Sequence, residues 1–337
     1  MEKKWFIGID VSKDWHDVAC LSAMNPLEYV CELKIDNTLK GFSVLEKQLK
    51  KYGIDLKEAV VCMEHTGTHS LLLIAWLQQT GITTVVEPAL QIKKSLGMQR
   101  GKNDQVDARR ISEYAYAQRH KLKEYRLHTR DLLRVKQLLT YRDQLVKTRT
   151  MYKNSLKSHK QYDQLTENEF IILDIDKKIK LFNQNITEVE KEIVEIIGSD
   201  EELKKNYKMA SSVKGVGLVI SAMMLVSTHN FTAFPNARKY NCFTGLAPYE
   251  HTSGTSIKGK TRTSHLAHKR LRAYLNNGAN SAYNYDPEIR IYYERKRKEG
   301  KEHRLIMNAI ACKLVSRVFS VVNRQTPYVS LYQQKFI

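Results

Sequence analysis

The order of apolar runs in the first 125 residues restricts the fold more than any other feature. Residues 5–11, 16–23 and 28–35 read as strands, and the polar turn Ser12-Lys13-Asp14-Trp15 joins the first two, which predicts an antiparallel meander. The pattern then changes. Thr38 is an N-cap residue type that opens a helix running to about Tyr52, followed by a strand over 59–64, a helix from about His69 to Gln79, a strand over 82–87 and a helix from near Asp104. Antiparallel strands followed by strand–helix repeats predict an α/β, RNase H-like sheet in which the first strand is central and the fourth lies beside it.

Within that sheet two acids interrupt apolar strands. Asp10 lies in Trp5-Phe6-Ile7-Gly8-Ile9-Asp10-Val11-Ser12, and Glu64 ends Ala59-Val60-Val61-Cys62-Met63-Glu64. Adjacent strands would bring them together. Asp104 and Asp107 add two carboxylates three positions apart, on one face of a helix, where water, a cation or a proton must relieve their repulsion. Singly, Asp10 reads as a turn residue and Glu64 as an edge acid; jointly, the four read as a divalent-metal site. All-oxygen ligands suit Mg2+ or Mn2+, and two such ions about 3.5–4 Å apart support phosphoryl transfer. Without further information this constellation describes an RNase H-like nuclease that uses water as nucleophile.

The charge balance points to the partner. Lys and Arg number 55 against 36 Asp and Glu, a formal charge of +19, which favours a polyanion; nucleic acid fits better than an anionic membrane surface. Five cysteines without Cys-x-x-Cys spacing indicate reduced core residues rather than a zinc site or disulfide framework. The apolar stretch before Asp10 is too short for a signal peptide, and the late apolar run from Leu305 to Val322 contains Asn308, Lys313 and Arg317, so a soluble cytoplasmic protein, nucleoid-associated when acting, is expected.

Residues 131–200 are charged and nearly free of Gly and Pro. Ile172, Ile175, Ile179, Phe182, Ile186, Val189, Ile193 and Ile196 alternate steps of three and four, the seam of a coiled coil, while Arg142 and Arg149 interrupt the stripe of the preceding helix. A hairpin within the chain and a pairing between chains fit this pattern equally. Further on, Val213-Lys214-Gly215-Val216-Gly217-Leu218 reads as a tight turn or as a phosphate-binding turn between helices. Residues 251–264 contain one apolar side chain and read as an exposed loop. That loop holds Ser253, an ordinary loop serine or a nucleophile, with Lys258, Lys260 and Arg262 nearby. The next helix offers Lys269, Arg270 and Arg272 to phosphate, and Arg295-Lys296-Arg297-Lys298 forms a second basic cluster.

Together these residues resemble the insertion-sequence one-ten family of transposases, DEDD recombinases to which the Piv-type DNA invertases also belong. The resemblance rests on Gly8-Ile9-Asp10-Val11-Ser12-Lys13, Glu64-His65-Thr66-Gly67 and Lys102-Asn103-Asp104-Gln105-Val106-Asp107-Ala108-Arg109 in the first part of the chain. In the last part it rests on Gly215-Val216-Gly217, Phe234-Pro235-Asn236-Ala237-Arg238, Thr244-Gly245-Leu246-Ala247-Pro248, Ser253-Gly254-Thr255-Ser256 and Lys269-Arg270-Leu271-Arg272. It implies a RuvC-like DEDD metal-binding domain over 1–125, a coiled-coil connector over 126–205 and a mostly α transposase domain over 206–330. Asp10, Glu64, Asp104 and Asp107 then take the metal-binding places and Ser253 the nucleophile's. The implied reaction is RNA-guided cleavage and exchange of donor and target DNA through a covalent phosphoserine–DNA intermediate. The implied partners are a structured bridge RNA and further copies of the chain, in a dimer or tetramer with a composite site across subunits. A RuvC-like nuclease or junction resolvase is the rival reading. Two positions depart from the family pattern: Ser264-His265-Leu266-Ala267 stands where a Ser-Lys-x-Gly run is usual, and Lys214 stands where a Pro is usual.

Overall fold

A computed structural model describes residues 3–95, 97, 104–166, 169–253, 257–263 and 267–330. The chain divides into two compact units, Met1–Leu127 and His128–Ile337.

The first unit holds a five-stranded sheet of order β3-β2-β1-β4-β5, formed by β1 (Trp5–Val11), β2 (Trp15–Ser22), β3 (Tyr29–Asp36), β4 (Ala59–Glu64) and β5 (Thr83–Glu87). The first three strands pair antiparallel; β4 runs parallel to β1, and β5 to β4. The meander and the central β1 therefore match the sequence reading. The helices are α1 (Leu39–Lys51), α2 (Leu71–Gln79), α3 (Ala89–Ser95) and α4 (Asp104–Ala117). Thr38 caps α1 as expected, its hydroxyl accepting from the Gly41 amide at 3.0 Å; α3 was not anticipated.

Strand alternation sorts β1 between two cores. Ile7, Ile9 and Val11 pack with Phe42, Leu45 and Leu49 of α1 and Leu73 and Leu77 of α2. Phe6 faces the other way, into a core with Cys62, Val85, Ile111, Tyr114 and Ala115. Gly8 and Asp10 share the Phe6 face, so α4 crosses the sheet over Gly8.

In the second unit, α5 (Arg130–Thr166) and α6 (Glu169–Ser199) fold back on each other within one chain. Arg134 bonds Glu192, Arg142 bonds Glu190 and Arg149 bonds Asn183, so partners descend along α6 as they ascend along α5. The two arginines that break the apolar stripe thus bridge to the returning helix, beside the buried seam of Leu139, Leu145, Ile186 and Val189. Its base is continuous with the rest of the unit: Leu132, Val135, Ile193 and Ile196 share a core with Leu271, Leu275, Leu314 and Val318.

That core is completed by α7 (Glu201–Ser211), α8 (Leu218–Ser227), α9 (Ala237–Thr244), α10 (Lys269–Tyr285), α11 (Pro287–Lys298) and α12 (His303–Arg324). By length and composition α12 qualifies as a membrane span, yet Ile310, Ala311, Leu314, Val315 and Val318 are buried in the core, and Arg317 ion-pairs with Asp286 and Glu288 at 2.7 and 2.8 Å. The polar stretch read as a loop instead contains an antiparallel ribbon, β6 (Pro248–Ser253) with β7 (Ile257–Thr263). Its ladder needs only backbone groups, which is why a nearly apolar-free sequence can form it.

Gly215 has a packing role. Its φ is +91°, and a Cβ there would stand 2.5 Å from the Gly278 carbonyl oxygen and 2.8 Å from the Ala282 Cβ. The turn before α8 therefore lies directly on α10. Gly215→Ala is expected to destabilise the second unit by about 2 kcal/mol or more in denaturant titration, from overpacking together with a strained φ. A loss below about 0.5 kcal/mol would show that the contact yields freely.

Candidate active site

The parallel register of β1 and β4, ending at Ile9 opposite Met63, brings Asp10 and Glu64 to the same end of neighbouring strands. Antiparallel β2 places Asp17 directly opposite Asp10, and β5 places Glu87 opposite Glu64. Paired residues share a face, so these four acids lie on the α4 side of the sheet.

The position of α4 follows from Gly8. A Cβ at that position would stand 2.2 Å from the Ala108 carbonyl oxygen, 2.3 Å from the Ser112 amide nitrogen and 2.9 Å from the Ile111 carbonyl carbon. Only glycine lets the helix backbone come this close. With Ala108 over Gly8, the first turn of α4, carrying Asp104 and Asp107, lies toward Asp10. A second fastening acts at the far edge, where Arg109 donates to Glu32 of β3 at 2.7 Å (Nη2 to Oε1), 2.9 Å (Nη2 to Oε2) and 3.0 Å (Nε to Oε1). Tyr29 of β3 also donates to Glu113 of α4.

The electrostatics follow from the proximity of the acids and from their burial. Burial, then the carboxylates of Asp107, Asp104, Glu64 and Asp17, push the Asp10 carboxyl up from its ordinary 3.8 to about 6. Asp17 is raised by burial, partly offset by Lys34, and raised further by Asp104. Glu87 is raised by burial, against the Tyr114 hydroxyl and Lys123. Asp107 also ion-pairs with Arg110 at 2.9 Å.

Such a site suits a hard divalent cation in donor type and in charge, since mutual repulsion of carboxylates is what a cation relieves. Among the described residues, no group of three or more His, Cys, Asp or Glu side chains is already arranged to hold a metal ion.

Ser253 is the last residue of β6, with Ile257 as its register partner on β7. Its side chain, and those of Lys258, Lys260 and Arg262, lie outside the described residues, as do residues 254–256, the Lys102-Asn103 segment and residues 264–266 with His265. The described basic residues differ among themselves. Arg270 is turned inward: it ion-pairs with Asp143 and donates to the Leu139 carbonyl, fastening α10 to α5. Arg272 donates to the Thr263 hydroxyl at 3.0 Å and ties α10 to the end of β7. Lys269, expected on the phosphate face, is exposed at the start of α10.

Two family descriptions match this chain: "Transposase", of the IS110 DEDD type, over residues 7–161, and "Transposase IS116/IS110/IS902 family" over residues 207–294. The chain belongs to the IS110 family of transposases. A pilin gene-inverting protein of Moraxella bovis is 25% identical over 331 residues, covering 96% of this chain and 98% of that protein. An insertion element IS110 uncharacterized 43.6 kDa protein of Streptomyces coelicolor is 33% identical over 120 residues, 36% of this chain and 29% of that protein.

In this IS110-family chain the first matched region holds Asp10, Glu64, Asp104 and Asp107, and the second holds Ser253 and the ribbon that carries it. Sequence reasoning missed Asp17 and Glu87. The available signal was register: Asp17 sits in a strand antiparallel to β1 across a short turn, and Glu87 ends the strand after β4.

Proposed function

We propose that this protein is a DNA transposase or invertase that cuts and rejoins strands with an acid-bound divalent cation and a serine nucleophile. The observation that carries the reading is the gathering of Asp10, Glu64, Asp104 and Asp107 at one end of one sheet face, where burial first and the neighbouring carboxylates second raise Asp10 to about 6. Family membership supports DNA as substrate, as does the +19 charge. The sheet order β3-β2-β1-β4-β5 supports a RuvC-like, RNase H-like first unit.

In this mechanism Asp10, Glu64, Asp104 and Asp107 would hold Mg2+ or Mn2+. Such a cation supplies charge neutralisation at phosphate oxygens and at the leaving oxygen. Gly8 and the Arg109–Glu32 clamp keep the Asp104 and Asp107 turn in place. Ser253 Oγ bonds to phosphorus while the bond from phosphorus to one sugar oxygen breaks. The serine proton leaves to a base, the freed sugar oxygen gains a proton, and the strand stays esterified to the protein. Attack by the hydroxyl of another strand reverses these steps and rejoins the DNA. A bridge RNA would choose sites by base pairing, a division of labour in which the protein supplies charge and catalysis. Residues 126–205 would serve as a connector in a dimer or tetramer, and Lys258, Lys260, Arg262, Lys269 and Arg272 as backbone contacts, in a cytoplasmic setting.

Strand cleavage of supercoiled DNA bearing the element junction tests the metal requirement. Cutting is expected with Mg2+ or Mn2+, in the presence of RNA transcribed from the same locus, and is expected to disappear in EDTA or with Asp104→Ala. Undiminished cutting in EDTA would remove the cation from the mechanism.

A further inference from the structure

On the same sheet face, next to the acids, lies a pair that the proposed mechanism leaves unused. Asp10 pairs with Asp17, and Asp17 in turn pairs with Lys34 of β3. Trp15 stands two residues before Asp17 and therefore on the same face. The Lys34 ammonium sits 4.4 Å from the centroid of the Trp15 indole, which is 40% exposed. The turn fixes the Trp15 backbone: its carbonyl accepts from the Ser12 amide at 3.1 Å, and the Asn37 amide donates to the Asp14 carbonyl at 2.9 Å. An exposed indole on a hydrogen-bonded turn, with an ammonium beside it, thus continues the line Asp10, Asp17, Lys34 away from the acid cluster.

Trp15 keeps 40% of its surface open to solvent, and the Lys34 ammonium over its ring places a positive charge at the edge of that open surface. The pair does match one ligand. A nucleotide offers a flat base for the ring and a phosphate for the ammonium, and stacking on an aromatic ring tolerates any base. Only an unpaired base exposes the face that stacking requires. We propose that Trp15 and Lys34 form a binding site for single-stranded DNA next to the scissile phosphate: the indole stacks on a base of the strand, and Lys34 contacts its phosphate. The position rests on the reading of the acids as the cleavage site; the binding itself does not. Here the carboxylates would repel a passing strand, and Lys34 would offset that repulsion at the point of entry.

Full-length protein in EDTA, titrated with a short single-stranded DNA, the same sequence as duplex and the same sequence as RNA, tests this without cleavage. Single-stranded DNA is expected to quench indole fluorescence in the wild type but far less in Trp15→Phe. Affinity should fall about tenfold in Trp15→Ala and much less in Trp15→Phe. Lys34→Ala should weaken binding and lower the salt slope by about one. Thermal melting of each variant separates loss of binding from loss of fold. Equal affinity of wild type and Trp15→Ala for single-stranded DNA would overturn the site even if the wild type cleaves DNA normally. Tighter, Trp15-dependent binding of duplex or of RNA would overturn its assignment to single-stranded DNA. Trp15-dependent binding by a protein that cuts no DNA under any condition would preserve the site and remove the catalytic reading instead.

Discussion

Asp10→Asn is expected to lower metal-dependent strand cleavage by about a thousandfold, which corresponds to losing several kcal/mol of charge stabilisation. DNA binding should survive, because removing an anion does not weaken attraction to phosphate. The same substitution should stabilise the metal-free protein. Asp10 is raised to about 6 in the folded state, so its charged form is disfavoured there by burial and by Asp107, Asp104, Glu64 and Asp17. A carboxyl raised on folding contributes most stability when protonated, and loses it as pH climbs from about 4 through about 6. Since the group is only half buried, solvent screening leaves about 1–2 kcal/mol. Urea titration in EDTA should therefore show wild-type stability declining across that window relative to Asp10→Asn. Added Mg2+ should raise the melting temperature of the wild type more than that of the variant. A variant that cuts as the wild type does, or that is less stable at neutral pH in EDTA, would mean that Asp10 does not share a repulsive acid site.

Gly8→Val should damage stability and catalysis together. Even the first added carbon would fall 2.2 Å from the Ala108 oxygen and 2.3 Å from the Ser112 nitrogen, both backbone atoms that no side-chain rotation can move. Helix α4 must lift, taking Asp104 and Asp107 with it. A stability loss of about 3 kcal/mol is expected in denaturant titration, at the upper end for overpacking, with cleavage falling well beyond what the unfolded fraction explains. Gly198→Ala provides a contrast. Gly198 is the second-to-last residue of α6, and outside its own helix and chain neighbours no heavy atom lies within 4 Å of its added carbon, so alanine there should be accommodated and stabilise by about 0.5 kcal/mol. If Gly8→Val folds and cuts like the wild type, the close crossing of β1 and α4 does not position the acids.

How far the sequence revealed this arrangement depended on what carries each contact. Asp10 and Glu64 were legible together because a period of two and the meander order fix both strand neighbours and faces. Asp104 and Asp107 were legible because a three-residue spacing is a helical contact. Asp17 and Glu87 were not, since nothing in their own strands marks them; only pairing with Asp10 and Glu64 does. The crossing at Gly8 was equally hidden, because a glycine in a strand does not say which backbone approaches it. Arg142 and Arg149 broke the helical stripe in sequence, but their partners Glu190 and Asn183 lie on the returning helix. Composition misled at residues 251–264, where hydroxyls and cations suggested a loop and backbone pairing forms a ribbon.

Covalent capture of DNA decides the proposed chemistry most directly. End-labelled DNA bearing the element junction, incubated with Mg2+, RNA from the same locus and either wild-type or Ser253→Ala protein, is resolved on a denaturing gel. A labelled protein–DNA band with the wild type that is absent with Ser253→Ala is the predicted result. Cleaved DNA without a covalent band in either protein would contradict the serine mechanism and assign cutting to the acid site alone, with water as the nucleophile.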